Sequence, residues 1–168
     1  MSFTYGQKSM MRLEGVHPDL KRVFMHAIEH SPIDWMIVEG VRNRDSCMVN
    51  YGKGRTAAQC AVHGIPAKFA LPGASKVTWL NDPFKSKHML QKDGFGHAVD
   101  ALPAPYDWKI VDNKSTAVVD DAFAKMALVI LQSASVLKIP VRWGANWDGD
   151  KQFREKGETD SPHFELVA

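Results

Sequence analysis

Apolar residues recur along the chain with two spacings, and these set out the elements. Leu20, Val23, Phe24, Ala27 and Ile28 fall at i, i+3, i+4, i+7 and i+8, the stripe of an amphipathic helix. His17-Pro18 opens it, because proline suits the first helical position, and Ser31-Pro32 stops it. Trp35 to Val38 is a short apolar run ended by Glu39-Gly40 and predicts a strand. A short helix is expected over 43–51, closed by Gly52-Lys53-Gly54, and a helical turn or two over 55–62, broken at His63-Gly64-Ile65-Pro66. Pro66, Pro72, Gly73 and Pro83 then mark a long ordered loop around a strand-like patch, Val77-Thr78-Trp79. Ala98 to Leu102 alternates like a strand and is ended by Pro103 and Pro105. Thr116 to Leu137 is mostly apolar and predicts a long helix packed on most sides, with Asp120 and Asp121 in its first turns, where the helix dipole favours negative charge. Val141-Arg142-Trp143 and Phe164-Glu165-Leu166 are the last strands, separated by a polar loop over 144–157. Residues 1–16 are expected to form an irregular arm.

The periodicity alone supports mixed α and β. The 168 residues suit one domain, spanning 1–168, with no repeat or linker to divide it and little room for a second, separate domain. Hydrophobic residues at 45% and charged residues at 24% are ordinary for a soluble globular chain. A net charge of +2 is too small to argue for nucleic acid, and is weakly compatible with approach to an anionic cell wall. The most apolar segment, Met126 to Leu137, is too short to span a bilayer, so no stable membrane insertion is expected. The N-terminal stretch has no apolar run of signal-peptide type, which predicts a chain that starts in the cytoplasm. Cys47 and Cys60 lack any C-x-x-C pattern and read as two reduced, partly buried thiols.

The candidate chemistry lies in two stretches, Ser86 to Asp100 and Asp160 to Leu166. They supply His88, Asp100 and His163, and two imidazoles with one carboxylate are a typical protein ligand set for a catalytic zinc. Asp160, three residues ahead of His163, is placed to take a proton from water at that metal. On a strand over 96–102, Asp100 and His97 point to opposite faces, so His97 does not join Asp100. Each residue alone also fits a plainer role: His88 and His163 as core or surface histidines, and Asp160 as the cap of a turn. His26 and His30 are four apart on a helix but have no third ligand, and read as solvated surface.

Ser86-Lys87-His88, Gly96-His97-Ala98-Val99-Asp100 and Asp160-Ser161-Pro162-His163-Phe164-Glu165-Leu166 resemble the motifs of a zinc peptidase family. It comprises the D-alanyl-D-alanine carboxypeptidases of vancomycin resistance and the L-alanyl-D-glutamate endopeptidases of bacteriophage endolysins. His17-Pro18-Asp19-Leu20, Val38-Glu39-Gly40-Val41-Arg42, Tyr51-Gly52-Lys53-Gly54-Arg55-Thr56 and Trp143-Gly144 ahead of Trp147 are similar to phage members. The family's usual first histidine stands seven residues before its aspartate, a position held here by Asp93. His88 is therefore matched through an insertion of about five residues, counted against the S-x-H-x-x-G-x-A-x-D spacing. The resemblance implies an α+β fold, with a small, mainly antiparallel sheet, packed helices and a zinc site in a surface cleft. It implies Zn2+ on His88, Asp100 and His163, with Asp160 as base. Arg42 would face the substrate as the partner of a carboxylate or a developing oxyanion.

The activity implied is that of a phage endolysin cutting peptidoglycan stems between L-alanine and D-glutamate. A D-alanyl-D-alanine carboxypeptidase and a non-catalytic wall-binding or virion protein are the alternatives. The absence of an export segment favours the lytic enzyme, waiting in the host cytoplasm for holin-assisted release to the wall. A monomer is expected.

Overall fold

The computed structural model describes residues 2–106, 122–150, 152–155, 157–158 and 160–167. The elements run α1 (Gln7–Arg12), α2 (Pro18–Glu29), β1 (Trp35–Glu39), α3 (Arg44–Gly52), α4 (Ala57–Ala61), β2 (Ala98–Pro103), α5 (Ala122–Leu137), β3 (Val141–Trp143) and β4 (His163–Leu166). The four strands form one sheet in the order β1-β2-β4-β3, and every neighbouring pair is antiparallel. Alternation then gives the sheet two unlike faces. Trp35, Ile37, Val99, Ala101, Trp143, Phe164 and Leu166 enter the core with the apolar stripes of α2 and α5. Phe24 meets Phe164 edge to face, with ring centroids 5.7 Å apart. Asp100, Arg142, His163 and Glu165 belong to the opposite face, which is left for chemistry.

The α+β architecture matches expectation, and so does the helix opened by Pro18. His17 caps that helix by accepting the Asp19 N–H at its Nδ1. Two expectations are corrected. The first sixteen residues are not an irregular arm, for they contain α1. Ser9 is buried and its Oγ accepts the Ile37 N–H, while Arg12 Nη1 donates to the Ile37 carbonyl at 2.7 Å. A six-residue helix has too few turns to show a period, and its stability comes from these contacts with β1. The Val77-Thr78-Trp79 patch forms no strand; Val77 and Trp79 are exposed in a loop with no paired neighbour. The expected helical residues 116–121, including Asp120 and Asp121, lie outside the described residues.

The loop from α4 to β2 holds two short 3-10 turns, Ala67–Phe69 and Pro83–Lys85. A second small core of Met48, Tyr51, Cys60 and Ile65 anchors it beside α3. No helix among the described residues is long and apolar enough to cross a membrane.

Candidate metal centre and cleft

The sheet register brings two of the predicted ligands together. Asp100 on β2 lies directly opposite His163 on β4, and each presents its side chain on the face away from the helices. His88 arrives from the loop before β2. It is bracketed by the segment after β1: its Nδ1 lies 2.7 Å from the Gly40 carbonyl, and its own carbonyl accepts the Arg42 N–H at 2.9 Å. Gly40 is required there, since a Cβ would stand 1.9 Å from the Arg12 carbonyl oxygen. The placement of His88 thus depends on close approach between α1 and the end of β1.

Three atoms converge: His88 Nε2 to Asp100 Oδ1 is 3.2 Å, His88 Nε2 to His163 Nδ1 is 3.2 Å, and His163 Nδ1 to Asp100 Oδ1 is 3.0 Å. The outer ring nitrogens fix the tautomers. A neutral His88 places its proton on Nδ1, toward Gly40. A neutral His163 places its proton on Nε2, toward Glu165 Oε2 at 3.0 Å. Both inner nitrogens then aim lone pairs at the same carboxylate, an arrangement that requires a cation or extra protons at the centre. A tetrahedral ion with bonds of about 2.0–2.1 Å would set ligand atoms roughly 3.3 Å apart, close to the spacing found. The residues therefore fit a metal ion. Where protons do the same work, burial acts to lower the His163 pKa, but its bonds to Asp100 and Glu165 push it up to about 10. Burial acts to raise the Asp100 pKa, yet His88 and His163 hold it far below the usual carboxylate range.

Glu165 and Glu39 are site residues that the sequence reading assigned no role. Glu165 stands two residues after His163 on β4, so strand alternation could have placed it on the same face. Burial acts to raise its pKa, but His163 and Arg142 bring it down to about 2. Glu39 grips Arg42 through both carboxylate oxygens, to Nε and Nη2. Arg42 lines the same cleft as the three converging residues.

Asp160 reaches the cleft through the turn before β4. Its backbone N–H donates to the Gly144 carbonyl, and the Gly144 N–H donates to the His163 carbonyl at 2.8 Å. A Cβ on Gly144 would lie 2.4 Å from the Asp160 carbonyl oxygen, so the close clasp of β3 on this turn needs glycine. Asp160 is exposed toward the cleft, yet protein around its carboxyl strips much of its hydration. That desolvation, then the nearby Asp100 carboxylate, raises its pKa. The Trp147 ring lies 5.6 Å from the His163 ring, and Glu158 fixes the Trp147 backbone N–H at 2.6 Å. The cleft has a volume of about 1040 Å³.

Asp93, seven residues before Asp100, lies apart from this centre. Its Oδ2 is 2.7 Å from His97 Nε2 and 3.8 Å from His17 Nε2, on the other side of β2. These three side chains staple the loop before β2 to the start of α2. Because His17 Nδ1 accepts the Asp19 N–H, the neutral ring turns an N–H toward Asp93 rather than a lone pair.

A small α+β protein whose polar sheet face carries a converging His-Asp-His set beside an acidic residue fits the residue set of a metal-assisted hydrolase. The profile of the phage L-alanyl-D-glutamate peptidase family matches residues 1–63 and 72–167. The chain is 30% identical to the L-alanyl-D-glutamate peptidase of Escherichia phage T5, over 99% of this chain and 100% of the relative. Among solved structures it is similar to the Serratia marcescens L-Ala D-Glu endopeptidase ChiX, with a TM-score of 0.54, 26% identity, and coverage of 99% of this chain and 90% of that one. The chain belongs to the phage L-alanyl-D-glutamate peptidase family.

Proposed function

We propose that this peptidase cuts peptidoglycan stems between L-alanine and D-glutamate, with Zn2+ held by His88 Nε2, Asp100 Oδ1 and His163 Nδ1. The observation that best supports the metal is the convergence of these three atoms within 3.2 Å of one another, with the outer ring nitrogens of both histidines bonded to Gly40 and Glu165. Zinc bound there supplies Lewis acidity toward the scissile carbonyl and the attacking water. Asp160, with its raised pKa, accepts the proton of that water and passes it to the departing D-glutamate amine. Arg42, held in the cleft wall by Glu39, meets a substrate carboxylate or the developing oxyanion. Trp147 covers one side of His163 and limits water there.

Cutting this bond frees whole stems from the glycan and breaks cross-links, which suits host lysis by a phage enzyme. In this reading the chain works as a single catalytic domain and a monomer, held in the host cytoplasm until a holin opens the membrane. The test is digestion of purified peptidoglycan followed by mass spectrometry, with metal content measured on the same samples. New D-glutamate amino termini, lost together with zinc in His163→Ala, are expected. Release of free D-alanine without those termini would overturn the choice of bond, and full zinc occupancy in His163→Ala would overturn the ligand set.

A further inference from the structure

The first alanine of a stem is joined through its nitrogen to a lactyl ether on an amino sugar of the glycan. An enzyme that cuts the next bond therefore works with a pyranose ring only roughly 7 Å away, about two residue lengths of extended chain. The sugar must lie against the cleft wall or its rim. Pyranose rings present a face of C–H groups, and the surface that receives them best is the electron-rich face of an aromatic ring.

Four tryptophans lie among the described residues. Trp35 and Trp143 are buried in the core. Trp147 is half-buried, with Arg142 4.9 Å over its ring and the His163 ring 5.6 Å away, so it offers less open surface than an exposed indole. Trp79 differs, being 73% exposed and lining the same cleft as His88, Asp100, Asp160 and His163. Its loop is anchored. The buried Arg55 donates to the Tyr51 carbonyl at 2.7 Å and to the Thr78 carbonyl at 2.8 Å, with its guanidinium 3.9 Å over the Tyr51 ring. The Lys76 ammonium sits 4.6 Å over the indole and braces one face. A large apolar ring is thus held in water, at the rim of a reaction cleft, by a buried arginine one residue away.

We propose that Trp79 is a saccharide platform: the amino sugar bearing the stem stacks on its indole while the first peptide bond lies at the metal centre. This rests on the peptidase reading above. Two soluble substrates test it, a stem tripeptide carrying its amino sugar and the same tripeptide without it. The wild-type chain should prefer the sugar-bearing substrate, and Trp79→Ala should lower that preference, the ratio of the two kcat/KM values, on the order of tenfold. Trp79→Phe should keep much of it. A wild-type chain with no preference, or an unchanged ratio in Trp79→Ala, would overturn the platform. Equal losses on both substrates would also overturn it, since a merely misshapen loop behaves that way. A second readout is independent of cleavage. The Trp79 indole N–H resonance, assigned by its loss in Trp79→Phe, should shift on titration with a peptide-free disaccharide of the glycan. If the wild type cuts neither substrate, the peptidase reading fails, and a shifted resonance would still support the sugar site while an unmoved one would sink it.

Discussion

At the scale of single residues, the proposed mechanism divides the site into groups that hold and one group that transfers protons. In that mechanism Asp160 is the transfer group, so Asp160→Asn should fold and keep its metal while losing roughly 10²–10⁴-fold in rate. Stem hydrolysis within a few-fold of wild type would reduce Asp160 to a turn residue. Glu165 acts through His163, and Glu165→Gln replaces the carboxylate that fixes the ring's outer proton. Zinc affinity should fall about 10–100-fold, read by competition with a chromophoric chelator. The raised pKa of His163 has two consequences for chelator-stripped protein. A raised folded-state value stabilises the fold fully below the unfolded value of about 6.5 and loses that contribution as pH rises through about 10. At pH 8 the ring still carries its extra proton, so zinc loading should release about one proton per chain. Calorimetry in two buffers of different ionisation enthalpy measures this, and heats that are independent of the buffer would contradict it.

At the scale of elements, the clasp between β3 and the turn before β4 is the most exacting contact. Gly144→Ala should cost about 3 kcal/mol through overpacking, and it should weaken metal binding as well, because the displaced turn carries His163. Thermal denaturation and metal content together check this; a lowered midpoint with full metal affinity would show that the turn absorbs the clash elsewhere. This scale also shows what the sequence could reveal. The stripe from Leu20 to Ile28 spans enough turns to declare itself, and the strands around Val99 and Phe164 were visible by alternation and flanking prolines. The six residues of α1 were not, because their partners lie on β1. Val77, Thr78 and Trp79 have strand-prone side chains but no neighbour to pair with, and propensity without pairing misled. In the site, alternation separated Asp100 from His97. The link from His88 to Asp100 came from resemblance, and only the folded chain shows why Asp93 stands aside: it serves the staple to His17 and His97. The bidentate grip of Glu39 on Arg42 follows a bulge in the β1 pairing, a register detail with no local signature.

At the scale of the whole molecule, the three proposed ligands join the loop before β2, the centre of the sheet and the last strand. A metal held by segments so far apart in sequence binds the folded chain and not the unfolded one. With free zinc a thousand times its Kd, stabilisation is about 4 kcal/mol, or roughly 8–16 °C in Tm for a chain of this size. Adding a chelator should lower Tm by that order, and an unchanged Tm would mean that the cluster binds no ion tightly. The contacts of α1 bear on how this domain can be handled. Ser9 and Arg12 brace β1, and the Arg12 carbonyl lies against Gly40, whose own carbonyl orients His88. The segment expected from the sequence to be an irregular arm is an outer buttress of the proposed metal centre. A designer who trimmed the domain back to His17 to graft on a targeting module would remove the support that sets Gly40 against His88.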